Sequence, residues 1–117
     1  MHLLTTRSTN MYYDLGMISR KVKLAATDTG IRFFVYSQLN RNLEARDDKR
    51  PTLPDLRDSG NLEEDADIII GLYRDEMYNK MTKDKGIMEV IVLKQRNGPI
   101  GMVRNKIILE TNKIIEV

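Results

Sequence analysis

Ile68-Ile69-Ile70-Gly71-Leu72-Tyr73 runs for six residues without one alternating polar position. Successive side chains of a strand point to opposite faces, so an unbroken apolar run suits a strand covered on both sides. Val90-Ile91-Val92-Leu93 downstream and Phe33-Phe34-Val35-Tyr36 upstream read the same way. Sheets covered on both faces are typically parallel, with helices as the covering layers. Upstream, Leu15, Ile18, Val22 and Ala25 recur at helical spacing from Asp14, with Arg20, Lys21 and Lys23 off that face. Gly30 supplies a C-terminal stop. Gly16 costs about 1 kcal/mol inside this helix, so its first turn is expected to begin late. A helix followed by three such strands predicts an α/β layer with a mainly parallel sheet and flanking helices.

Asn97-Gly98-Pro99 follows the last run and turns the chain into a further strand, Val103 to Leu109, giving a C-terminal β-hairpin. Ile114-Ile115-Glu116-Val117 is expected to pair as an edge. Met1-His2-Leu3-Leu4 reads as the end of an apolar strand and Thr5 to Asn10 as a loop. A long polar segment, Asn40 to Asp65, carries Arg41, Arg46, Lys49, Arg50 and Arg57; a connection of this length is functional or disordered. Asp75 to Gly86 reads as a polar surface excursion.

The 117 residues suit one domain, and with 41% apolar and 31% charged residues a hydrophobic core is expected. No apolar run approaches the roughly 18 residues of a membrane span, and the first residues lack a secretory apolar region. Zero Cys excludes disulfides, thiolate metal sites and Cys nucleophiles, and fits a cytoplasmic protein. A lone histidine, His2, leaves no His-based metal cluster and speaks against a Ser-His-Asp device. Of the overall +2, residues 1–57 carry +4 and residues 58–117 carry −2. That asymmetry points to a phosphate-bearing partner or, equally, to a surface that keeps the chain in solution.

Four short stretches carry candidate chemistry. Ser37-Gln38-Leu39-Asn40-Arg41 follows directly on an apolar run, where ligands of open α/β sheets sit, so Gln38 can contact a phosphate or orient a water; it is equally the polar ending any strand needs. Asp55-Leu56-Arg57-Asp58-Ser59-Gly60 offers a basic side chain and a glycine for close backbone approach, the parts of a phosphate cradle, or else a capped turn in which Ser59 or Asn61 starts a short helix through Glu63 and Glu64. Asp65-Ala66-Asp67 lacks a third metal ligand at useful spacing and is expected to bond loop backbone. Lys94 and Arg96 close the Val90–Leu93 strand two residues apart, hence on one face; two cations there can neutralise charge on a transferring phosphoryl group, or simply line a solvated rim. None of the seven glycines opens a Gly-x-x-x-x-Gly-Lys-Ser/Thr loop.

Six stretches occur in order: Ser37-Gln38-Leu39-Asn40-Arg41, Asp48-Lys49-Arg50-Pro51, Asp55-Leu56-Arg57-Asp58-Ser59-Gly60, Glu64-Asp65-Ala66-Asp67, Leu72-Tyr73-Arg74-Asp75 and Lys94-Gln95-Arg96-Asn97-Gly98-Pro99. From about Met1 to Gly101 the chain resembles the C-terminal half of the RecA-like ATPase domain of bacterial and phage replicative helicases, the DnaB family. Ile18-Ser19-Arg20-Lys21 fits as well. The resemblance implies a partial RecA-like domain spanning residues 1–117, from a hexameric ring that encircles single-stranded DNA and unwinds duplex with ATP and Mg²⁺. It makes Gln38 the γ-phosphate sensor, and Lys94 and Arg96 the pair reaching a neighbouring subunit's nucleotide, with Arg96 the arginine finger. Arg57, Asp58 and Gly60 fall in the loop that holds the DNA backbone.

In the family the P-loop, the catalytic glutamate and the Walker B aspartate precede the point matching Met1. The expectation is therefore a trailing ATPase segment, a fragment or the product of a truncated gene, which holds no ATP or Mg²⁺ by itself. The rival is a non-enzymatic remnant that binds single-stranded DNA or a full-length helicase subunit. Tyr36 stands where the family usually has a smaller residue, and Met102 to Val117 departs from the usual ending.

Overall fold

The computed structural model describes residues 11–59 and 61–117, the side chains of 11–15 and 57–59 excepted; the expected strand end at Met1–Leu4 and loop at Thr5–Asn10 lie outside the described residues. These residues fall into two compact units. One takes the chain up to Glu44 together with Leu53–Ala66, the other Ala45–Thr52 together with Asp67–Val117.

The first unit is built on α1 (Met11–Thr29). The helix ends at Gly30, which adopts φ +70° and donates its N–H to the Ala26 carbonyl at 3.0 Å. A residue with a Cβ is strained there, which is why the helix stops at a glycine. Contrary to expectation, α1 begins well before Gly16. Gly16 is buried, and a Cβ on it would stand 3.3 Å from the Asn61 side-chain amide. Close packing outweighs the roughly 1 kcal/mol propensity cost. One turn on, the buried Ser19 hydroxyl donates to the buried Asp65 carboxylate, whose other oxygen takes Arg20 Nη1 at 3.2 Å. Asp65 closes α2 (Leu62–Asp65), so this cluster joins the two helices.

The polar segment Asn40–Asp65 is ordered by short-range bonds. Two 3-10 turns, Arg41–Ala45 and Leu53–Ser59, bury Leu43 and Leu56, each contributing about 2 kcal/mol by burial. Phe33-Phe34-Val35-Tyr36 forms no strand: Phe34 is 86% and Tyr36 95% exposed. An apolar run shows that a segment calls for cover without showing which residues supply it, and among the described residues none pairs with this one.

The second unit is a four-stranded sheet in the order β1 (Ile68–Tyr73), β2 (Ile87–Gln95), β3 (Gly101–Ile108), β4 (Lys113–Glu116). Every pairing is antiparallel, which corrects the expected mainly parallel sheet for the described residues. The reason lies in the connections. A parallel pair needs a crossover, usually a helix. Residues 74–86 contain only a 3-10 turn at Asp75–Met77, so the chain reverses and returns beside itself. The expected hairpin after Asn97-Gly98-Pro99 is present, and β4 forms the edge beyond it.

Burial in β1 alternates: Ile69, Gly71 and Tyr73 are buried, whereas Ile68, Ile70 and Leu72 are more than half exposed. The covered face is held by residues 45–52. Arg50 makes a two-pronged bond to Glu89 on β2, Nε to Oε2 at 2.7 Å and Nη2 to Oε1 at 2.9 Å, and its guanidinium lies 4.8 Å from the Tyr73 ring centroid. Pro51 rests on Gly71, where a Cβ would meet it at 2.9 Å. Tyr78 stacks on Tyr73 at 5.9 Å, with Lys49 Nζ 5.6 Å from the Tyr78 centroid.

Candidate functional site

Lys94 and Arg96 sit at the end of β2, where the ladder is irregular. Ile69 pairs with Lys94 but Ile70 with Val92, so Leu93 is bulged out. A bulge of this kind bends a strand and re-aims the residues after it. Arg96 then enters the turn, held twice by Asp67: its backbone N–H donates to the Asp67 carbonyl at 2.9 Å and Nη1 to the carboxylate at 3.0 Å. The turn is shaped by Gly98, where a Cβ would fall 2.7 Å from the Gln95 side-chain amide.

Gln38 lies in the first unit, exposed, two residues before a fixed point. The Asn40 N–H donates to the Asp55 carbonyl at 2.8 Å, and its side-chain oxygen takes the Asn42 N–H at 3.0 Å, starting the turn at Arg41. Arg57 and Asp58 belong to the 3-10 turn Leu53–Ser59, beside the buried Asp55 and Leu56; their side chains, and Gly60 altogether, lie outside the described residues. Asn61 starts a short helix, as the capped-turn reading expected, though through its backbone carbonyl alone: it accepts the N–H groups of Glu64 and Asp65 and makes no side-chain cap.

The structure thus brings Lys94 and Arg96 together in one unit, and Gln38, Arg57 and Asp58 belong to the other. Asp65 and Asp67 differ from expectation. Their carboxylates are engaged by the side chains of Ser19, Arg20 and Arg96 rather than by loop backbone. Among the described residues no three His, Cys, Asp or Glu side chains gather as a metal site, and no helix is long and apolar enough to cross a membrane. Mg²⁺ therefore finds no fitting donor set in the described part of this chain. Asp67 as the partner of Arg96 escaped the sequence reading, because 29 residues separate them and nothing local links the two.

A family model for the DnaB-like helicase C-terminal domain matches residues 1–116. The chain belongs to the DnaB-like helicase C-terminal domain family. Among curated relatives, the replicative DNA helicase DnaB of Haemophilus influenzae is 52% identical over 99 residues, covering 85% of this chain and 21% of the relative. The corresponding helicase of Geobacillus stearothermophilus is 44% identical over 108 residues, 92% of this chain and 24% of its own length. This DnaB-like chain thus spans between a fifth and a quarter of those relatives. A solved helicase ATPase domain superposes with a TM-score of 0.91 at 42% identity, over 100% of this chain and 42% of the other. A DnaB-like replicative helicase, described with its interactions with primase, superposes at 0.90 and 42% identity over 97% of this chain and 28% of its own. The fold is part of a RecA-like ATPase domain.

Proposed function

We propose that this chain is the trailing part of the motor domain of an ATP-dependent replicative DNA helicase, a hexameric ring acting in the cytoplasm at the replication fork. In that ring Gln38 senses the γ-phosphate, Lys94 and Arg96 reach the nucleotide of the adjoining subunit, and Arg57, Asp58 and Gly60 meet single-stranded DNA. The observation that carries the reading is the match to the family over residues 1–116, with Lys94 and Arg96 adjacent at a bulged strand end. A guanidinium suits the finger because it stays charged and offers fixed, forked donors to phosphate oxygens. Removing such a group lowers phosphoryl transfer by roughly 10³–10⁵.

ATP and Mg²⁺ belong to this proposal as groups bound elsewhere in the ring, since the 117 residues contain no P-loop. Phe33–Tyr36 and the exposed face of β1 support the same reading: apolar surface of this extent is what the remainder of an ATPase domain would cover.

The test is a chimera in which residues 1–116 replace the matching segment of a homologous helicase. It is expected to hydrolyse ATP and unwind duplex, and Arg96→Ala is expected to abolish both while leaving the ring assembled. Undiminished turnover in that variant would remove Arg96 from the site. The 117-residue chain alone is expected not to turn over ATP; hydrolysis that survives purification and disappears in Arg96→Ala would overturn the reading.

A further inference from the structure

Arg104 and Lys106 stand two residues apart on β3 and so share a face of the sheet. On β4, Lys113 pairs with Ile108 and Ile115 with Lys106, which puts Lys113 on that same face, diagonal to Lys106 and about 7–8 Å from it. The loop before β2 adds to them. Arg104 Nη2 bonds the Asp84 carboxylate, and Asp84 is flanked by Lys83 and Lys85. The Ile107 N–H donates to the Gly86 carbonyl at 2.7 Å, so Lys85 arrives next to the Lys106 end of the ladder. Five cations from three separate segments meet here, and all five are exposed.

The acidic groups nearby do not cancel them. Glu89 pairs directly with Arg104 across the ladder, but it is buried and both its oxygens hold Arg50. Asp84 neutralises Arg104 alone. Glu76, which feels Lys85, is bonded to Arg74. Glu116 pairs with Asn105 and therefore lies on the opposite face. Among the described residues Lys83, Lys106 and Lys113 have no ion-pair partner. Four lysines thus remain as excess positive charge on one end of the hairpin.

We infer that this face of the C-terminal hairpin, with Lys83, Lys85, Lys106 and Lys113, is a binding site for the phosphate backbone of a nucleic acid, separate from the loop at Arg57–Gly60. The chemistry is that of sequence-independent contact. Lysines on long stems act as mobile point charges that meet phosphates without reading bases. A helicase-family chain meets single-stranded DNA as a matter of course, and a second contact would hold the strand to the outer end of the sheet. The site lies within Met102–Val117 and the loop before β2, where the sequence leaves the family pattern or is freest to vary.

The experiment measures binding of the 117-residue chain to a fluorescent oligothymidylate by anisotropy, between about 50 and 200 mM salt. Lys106→Gln/Lys113→Gln changes two exposed side chains and is expected to keep the circular dichroism spectrum. It should lower the magnitude of the log–log salt slope by about 1.4, at about 0.7 per phosphate contact on single strands. An unchanged slope overturns the proposal. Arg57→Ala separates this site from the one in the proposed function. A slope that falls with Arg57→Ala but not with the lysine pair leaves the loop standing and removes the hairpin, and the reverse result does the opposite. Polyglutamate of equal charge displacing the oligonucleotide at equal concentration would reassign the face to an acidic protein and also overturn the inference.

Discussion

Arg96 is anchored to Asp67 twice, by its backbone N–H at 2.9 Å and by its guanidinium at 3.0 Å. The two bonds differ in what they do. The backbone bond extends the ladder past β1 and fixes where the turn begins. The ion pair is between side chains 46% and 59% exposed, where water and salt weaken attraction and median values fall at about 0–1 kcal/mol. A guanidinium held this weakly can leave for a phosphate at little cost. Asp67→Ala is therefore expected to shift stability by less than about 1 kcal/mol in urea unfolding, because the backbone bond survives the substitution. A loss above about 2 kcal/mol would show that the pair is structural and would count against a finger that moves.

Arg50 presents the contrasting case. Its carboxylate partner is buried, the bond is two-pronged, and the guanidinium also lies over Tyr73. The contact with Glu89 raises the arginine's pKa further, so it is charged at every pH at which the fold exists. Removing it strands Glu89 in the covered face. Arg50→Ala is expected to cost about 3 kcal/mol, and Arg50→Lys most of that, since an ammonium can supply neither the fork nor the planar stacking. Chemical denaturation of the two variants checks this. An Arg50→Lys chain as stable as the parent would show that charge alone suffices.

Two glycines separate space from conformation. A Cβ at Gly71 meets Pro51 Cβ at 2.9 Å, and Pro51 is buried and rigid. A Cβ at Gly98 comes closer still, at 2.7 Å, yet what it meets is the end of the flexible Gln95 side chain. Gly71→Ala is expected to destabilise by about 1–3 kcal/mol through overpacking, and Gly98→Ala by less than about 0.5 kcal/mol. The same urea titration ranks them. Equal losses would mean that Gln95 is as fixed as Pro51.

The same contrast explains what could be read from the chain alone. Positions governed by near neighbours were legible: the stop at Gly30, the hairpin at Asn97–Pro99, the edge at Ile114–Val117 and the helix begun at Asn61. Strand direction was not, because Ile68–Tyr73 looks alike in a parallel sheet and at an antiparallel edge. What decides is the connection at residues 74–86, too short of helix to cross over. Phe33–Tyr36 misled for a related reason, since its apolar character describes a covered strand and the described residues leave it bare. At the candidate site, the spacing of Lys94 and Arg96 was enough to place them on one strand end. The bulge at Leu93, the clasp from Asp67 and the basic face of β3 and β4 all depend on register, which the sequence does not print.

Tyr73 provides the pH test. Burial pushes its hydroxyl from 10 up to about 12, with the bond to Asp75 at 2.7 Å reinforcing the shift, because ionising the ring would put a phenolate beside a carboxylate. The sign follows from proton binding. Between pH 10 and about 12 the unfolded chain has released this proton and the folded chain has kept it, so stability from this group is complete below pH 10 and declines as pH rises. Tyr73→Phe cannot take part. At neutral pH the variant should be less stable by about 1 kcal/mol, the net worth of one hydrogen bond. The gap between the two proteins should close as pH climbs through that window, with urea midpoints taken at each pH. A gap of constant size from neutral to strongly alkaline pH would show that the Tyr73 hydroxyl ionises as freely in the folded chain as in water, and that the covered face of the sheet is not dry.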